Sequence, residues 1–234
     1  MIKPHGAEQL MPLYVADQQQ REALQAQAES MPSKIVSSAT ATNAVMLAGG
    51  YFTPLTGYMN VADAMSVADT LHTADGVFWP VPVMNLLSDA SGVVVGEQLA
   101  LRDPNVSGNP VLAVMTVNAI ETLSDDQINH IAEQVFGTLD GQHPGVAAFT
   151  GQGNIAVSGP IQVLNFSYFA TDFPDTFRTA VQIRDEMATL GWEKVVAFQT
   201  RNPMHRAHEE LCRMAMQDLQ ADGCLVHMLL GKLK

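Results

Sequence analysis

The chain has 234 residues, 47% of them hydrophobic, and a formal net charge of −12, enough length to bury a sizeable core in one large or two modest domains. Such acidity argues against a general binder of nucleic acid or of an anionic membrane, because both depend on basic surfaces. No apolar run is long enough to span a bilayer, residues 1–6 lack the charged and apolar regions of a signal peptide, and two cysteines cannot build a secreted disulfide framework; the expectation is a cytoplasmic protein with free thiols.

In chain order, residues 17–30 read as a polar helix with Asp17 as cap and Pro32 as stop, and 42–47 as a second, shorter helix. The loop 49–59 is rich in aromatic, Pro and Gly residues. Pro54 and Gly57 fix its turns while Phe52, Leu55 and Tyr58 cover apolar surface, so packing outweighs a ligand platform. Residues 61–71 read as a helix. From 78 to 123 the pattern is strand and turn: strands at 81–87, 93–95 and 111–117, with turns at 88–92, at Asp103-Pro104-Asn105 and at Ser107-Gly108-Asn109-Pro110. Ser124 caps a helix over 125–136, and 145–164 reads as strands broken at Gly151-Gln152-Gly153 and Gly159-Pro160. Trp79 and Trp192 read as core or domain-interface residues.

Aromatic, acidic and proline residues crowd 168–174 and mark a boundary. The fold expected is a mixed, strand-rich α+β domain over 1–170, then the first part of an α/β parallel-sheet domain over 171–234. Phe177, Val181, Arg184 and residues 187–190 suit a helix ended by Gly191. A strand at 194–198, a helix beginning just after Pro203 and a strand at 224–230 follow, the βαβ order of a parallel nucleotide-binding sheet. Cys224 and His227 stand three apart, which on a strand puts them on opposite faces and disfavours a shared metal.

The turn between that strand and helix concentrates the chemistry. Asn202 is a good N-cap and Pro203 suits the first helical position, so free amide donors are expected to face outward there. Arg201 adds a planar fork for two oxygens of sulfate or phosphate, and Gln199 and Asn202 add neutral donors. His205 and His208 share a helix face, where imidazoles can donate to an oxygen gathering negative charge. A solvated His pair, an Arg201 paired with a surface acid, and a zinc site are the competing readings. Zinc lacks both the His-Glu-x-x-His pattern and its inverse, and no Gly-x-x-x-x-Gly-Lys-Ser/Thr loop supports a P-loop kinase.

Gln199-Thr200-Arg201-Asn202 followed by His205-x-x-His208, continued through Glu209 and Leu211, closely resembles the first signature of ATP sulfurylase (sulfate adenylyltransferase). Gly50-Tyr51-Phe52-Thr53-Pro54-Leu55-Thr56-Gly57-Tyr58-Met59 resembles that family's N-terminal Gly-x-Phe-x-Pro-Leu-x-Gly-Phe/Tyr-Met element, and Leu101-Arg102-Asp103-Pro104 and Gly159-Pro160-Ile161 sit in recognisable places.

The resemblance implies a PUA-like first domain and a Rossmann-like nucleotidylyltransferase second domain. It implies that ATP and sulfate react reversibly to adenosine 5′-phosphosulfate and pyrophosphate, with Mg2+ arriving as MgATP and no protein-held metal. Gln199 and Arg201 would hold sulfate; Gln199, Thr200, Arg201 and Asn202 would meet the ATP phosphates; His205 and His208 would steady the phosphates and departing pyrophosphate. Neither nucleic acid nor membrane is an expected partner, and a homo-oligomer is. A non-catalytic anion-binding module is the alternative. Another nucleotidylyltransferase is a further one, although such enzymes carry His-x-Gly-His and Ala207 stands in place of that Gly. The family's second, Gly-Arg-Asp signature does not occur after His208, so this chain by itself is expected to be weakly active or inactive.

Overall fold

The structure, a computed structural model, describes residues 2–228. Residues 3–181 form one compact unit, and residue 2 with 182–228 forms another.

In the larger unit, α1 (Gln18–Ala28) starts at Asp17, whose carboxylate accepts the Gln20 N–H. α2 (Ser38–Ala48) starts four residues before its expected position because Ser37 caps it, accepting from Thr40 N–H. α3 (Val61–Thr70) is capped by Asn60. α4 (Asp125–Phe136) opens on a full capping box of Ser124 and Gln127. Each helix begins where a short polar side chain can satisfy an otherwise open amide.

The sheet is built from β1 (Ser33–Ile35), β2 (Gly57–Tyr58), β3 (Leu86–Leu87), β4 (Gln98–Arg102), β5 (Val111–Thr116), β6 (Ala119–Thr122) and β7 (Ile155–Val163). Its order is β1-β4-β5-β7-β2, with β3 and β6 also paired to β7. β1 runs parallel to β4 and every other pair is antiparallel. Val111 to Met115 are buried on both faces of β5. Leu47, Leu99, Leu101, Leu112, Met115 and Val163 pack in one apolar cluster, and Ala28, Ala100, Val111, Val114 and Leu164 in another. Two-sided burial explains why β5 reads as a continuous apolar run. Truncating one of its large side chains to Ala would cost about 2–5 kcal/mol.

Three expected strands are corrected. The strand at 81–87 shrinks to β3, since Pro80 and Pro82 have no N–H to give a ladder. Residues 93–95 form turn and loop with Val94 and Val95 about half exposed, and the strand comes later, as β4. Residues 144–150 are a helix, α5 (Pro144–Thr150), because His143 caps it and Pro144 takes the first helical position. Gly159-Pro160 does not break a strand either. β7 passes through both, at the place where β2 pairs with it.

That crossing is unusually close. A Cβ on Gly57 would lie 2.0 Å from the Gly159 carbonyl oxygen, and one on Gly159, at φ +148°, would lie 2.0 Å from the Thr116 carbonyl oxygen. The aromatic loop before it packs as expected: Tyr58 is buried with its hydroxyl donating to the Thr40 carbonyl at 2.8 Å. Phe52 meets the buried Trp79 edge-on, ring centroids 5.5 Å apart. α6 (Phe169–Asp172) and the start of α7 (Ala180–Thr189) close this unit. We expect Gly57→Ala or Gly159→Ala to destabilise the unit by about 3 kcal/mol, measured by urea unfolding. An unchanged midpoint would contradict the close-approach account.

Candidate active site

The smaller unit contains β8 (Val195–Thr200), α8 (Arg206–Leu219) and β9 (Gly223–Met228), with β9 parallel to β8. The expected strand residues Leu229 and Leu230 lie outside the described residues. β8 is entered from a fixed turn: Asp222 Oδ2 accepts the Glu193 and Lys194 N–H groups, both at 2.8 Å. Trp192 lies against Gly223, where a Cβ would meet ring carbons at 2.4 Å. These contacts fix the register in which Val195 faces Gly223 and Thr200 faces Met228.

Alternation along β8 then distributes the site residues. Phe198 faces α8, its ring 5.5 Å from that of His208. Gln199 therefore points to the opposite face, and Thr200 turns back inward and is buried. The Thr200 hydroxyl donates to the Asn202 carbonyl at 3.0 Å and accepts the Asn202 N–H at 3.1 Å. One side chain thus fixes the peptide on either side of the Asn202 Cα.

This closure precedes the helix start. Asn202 and Pro203 were the expected cap and first helical residue, but both backbone groups of Asn202 are tied to the Thr200 hydroxyl in a closed turn and the helix starts further on. The cap is instead His205, in extended backbone, and α8 begins at Arg206. His205 Nδ1 accepts the Ala207 N–H at 3.3 Å, and the His205 N–H donates to His208 Nδ1 at 3.4 Å. The amide at Ala207 is therefore covered rather than turned outward. With each Nδ1 accepting, a neutral ring carries its proton on Nε2, which leaves that N–H free to donate. The two rings are 3.9 Å apart between centroids.

All six candidate residues fall at the carboxyl end of β8, in the loop after it, or in the first turn of α8. Ligands of open α/β sheets bind at this edge. Among the described residues, the side chains of Gln199, Arg201 and Asn202 make no hydrogen bond, Arg201 makes no ion pair, and all three are exposed. The reading of Arg201 as a partner of a surface acid therefore fails. No group of three or more His, Cys, Asp or Glu suited to a metal ion occurs among the described residues. Cys212 and Cys224 are free thiols, and burial with the neighbouring Cys212 pushes the Cys224 thiol up. Sequence reasoning missed Asp222, although an Asp-Gly pair just before an apolar run is a turn signal. It also missed the Thr200–Asn202 closure, which needs the chain's path to be seen.

Residues 2–166 match the model of the PUA-like domain family. The chain belongs to that family. Residues 174–234 match the ATP-sulfurylase family model. Matches over the whole of this chain bear out the resemblance: it is 65% identical over 234 residues to a sulfate adenylyltransferase of Alcanivorax borkumensis and 61% identical to one of Allochromatium vinosum. In both cases 100% of this chain is aligned, spanning 58% and 59% of the relative's length. A solved structure described as a hexameric APS kinase from Thiobacillus denitrificans is similar with a TM-score of 0.75 and 27% identity, over 99% of this chain and 40% of its own. The fold class expected from the sequence, a PUA-like domain followed by parallel-sheet nucleotidylyltransferase elements, therefore stands. No helix among the described residues is long and apolar enough to cross a membrane.

The two amide donors hold the Asp222 carboxyl below the ordinary carboxylate range. A depressed folded pKa stabilises the turn above the unfolded value, roughly pH 4, and that contribution is lost as pH falls through the folded value. We expect Asp222→Ala at neutral pH to speed hydrogen exchange at the Glu193 and Lys194 amides, and acidification of the parent to lower their protection relative to the intrinsic exchange rate at each pH. Unchanged exchange in the variant would contradict the anchoring role.

Proposed function

We propose that this chain carries the sulfate and phosphate site of a sulfate adenylyltransferase, with residues 1–170 as scaffold and 171–234 as the start of the catalytic domain. The single observation carrying this reading is the exposed Arg201 guanidinium, without a partner among the described residues, in a fixed loop at the carboxyl end of a parallel strand. A planar fork left without an acid there suits a tetrahedral oxyanion.

In this reading Gln199 and Arg201 hold sulfate, and Arg201 and Asn202 align the nucleotide phosphates, with Gln199 reaching them from its face of the sheet. Thr200 acts through the loop that it closes. A sulfate oxygen attacks the α-phosphorus of ATP, the bond from that phosphorus to the bridging oxygen breaks, and pyrophosphate leaves with the electron pair. His205 and His208 donate from Nε2–H to the phosphate oxygens as charge builds on them. No side-chain nucleophile enters, because alignment and charge neutralisation carry such transfers. Mg2+ would arrive as part of the substrate, MgATP, and neutralise phosphate charge there. The reverse direction makes ATP from adenosine 5′-phosphosulfate and pyrophosphate. Assembly as a homo-oligomer and residence in the cytoplasm complete the proposal, with the relatives' activity and the hexameric neighbour as support.

Removing one donor to a developing oxyanion costs about 100- to 1,000-fold in turnover. We expect losses of that size for His208→Ala or Asn202→Ala in the intact enzyme, with a larger loss for Arg201→Ala, in steady-state assays of pyrophosphate release from ATP and sulfate. A His208→Ala enzyme within a few fold of the parent would end its catalytic role. Calorimetry that detects sulfate binding in a protein without pyrophosphate release would favour a non-catalytic module.

A further inference from the structure

We infer that His227 is a further ligand of the sulfate site, beside Gln199. The parallel ladder between β8 and β9 sets Gln199 opposite His227 and Thr200 opposite Met228. Register partners on neighbouring strands point to the same face and stand about 4.8 Å apart along the hydrogen-bonding direction. Gln199 and His227 are both exposed. Gln199 comes one residue before the end of β8, at the carboxyl edge of a parallel strand where ligands sit, and the register sets His227 beside it.

The face matters as much as the position. Phe198 packs toward α8 and His208, so Gln199 and its neighbour His227 lie on the face turned away from α8. Cys224, three residues before His227, falls on the α8 side with Val196. His227 therefore stands on the face away from Cys224, as the register partner of the one sulfate-holding side chain that the two α8 histidines do not share a face with. An imidazole N–H is a directional donor to an anionic oxygen. Gln199 and His227 would then grip the oxyanion from two strands, with Arg201 closing it from the loop.

The inference rests on the loop being an oxyanion site, and the test separates the two. The chain, labelled with 15N, is titrated with sodium sulfate against sodium chloride of equal ionic strength. Side-chain signals of Gln199, Arg201 and His227 are followed by proton–nitrogen correlation. We expect all three to shift along one saturation curve. We also expect His227→Leu to weaken sulfate binding about tenfold and His227→Gln, which keeps a donor, to restore it to within about threefold. If Gln199 and Arg201 shift while His227 does not, or if His227→Leu binds as the parent does, the assignment of His227 is overturned and the oxyanion site stands. If none of the three shifts, both fall.

Discussion

The geometry of the site depends on one hydroxyl. Thr200 is the last residue of β8 and is buried, and it takes both backbone groups of Asn202. A strand that ended there without such a closure would leave the following loop many conformations, and each ordered residue costs roughly 1–2 kcal/mol of backbone entropy. The turn that Thr200 closes precedes α8, whose cap is His205 and not Asn202. Side chains of the loop are divided accordingly. Thr200 and the Nδ1 edges of the two histidines hold the backbone, while the side chains of Gln199, Arg201 and Asn202 stay exposed and are the ones to which the proposal gives the anion.

The two units are stabilised in different ways. In residues 3–181, side chains such as Leu101, Leu112 and Met115 are completely buried, and stability follows from apolar area removed from water. In the βαβ unit no residue of α8 is fully buried, and Leu211 and Met214 are half exposed. There the ladder of β8 and β9, the Asp222 turn and the stacking of Trp192 on Gly223 carry the order. Among the described residues, the loop is thus held by backbone hydrogen bonds and strand register.

What could be read from residues alone follows from how local the governing forces are. Helix caps are local, so Asp17 and Ser124 placed α1 and α4 within a residue or two. The βαβ order was legible for a similar reason: β8 is β-branched and α8 has one apolar stripe. Strand assignments failed where pairing decides. Val93, Val94 and Val95 have strand composition but no partner among the strands, whereas Gln98–Arg102 is less obviously a strand and is selected by β5 and β1 on either side. Gly159-Pro160 looked like a break, and β7 runs through it: a side chain at Gly159 would strike the Thr116 carbonyl at the end of β5, and one at Gly57 of β2 would strike the Gly159 carbonyl. In the site, the residue types were legible and the chain path was not. Asn202 has the composition of a cap, yet the chain closes a turn on Thr200 there and the helix takes His205 as its cap.

The central claim, that a fixed loop leaves Arg201 to grip a tetrahedral oxyanion, is tested most directly by diffraction from a crystal soaked in selenate, with the anomalous signal of selenium locating the anion. The account requires a selenium peak within hydrogen-bonding reach of the Arg201 guanidinium, at the carboxyl end of β8. A well-ordered loop with no anomalous peak there, at a selenate concentration that occupies other sites in the crystal, would contradict it.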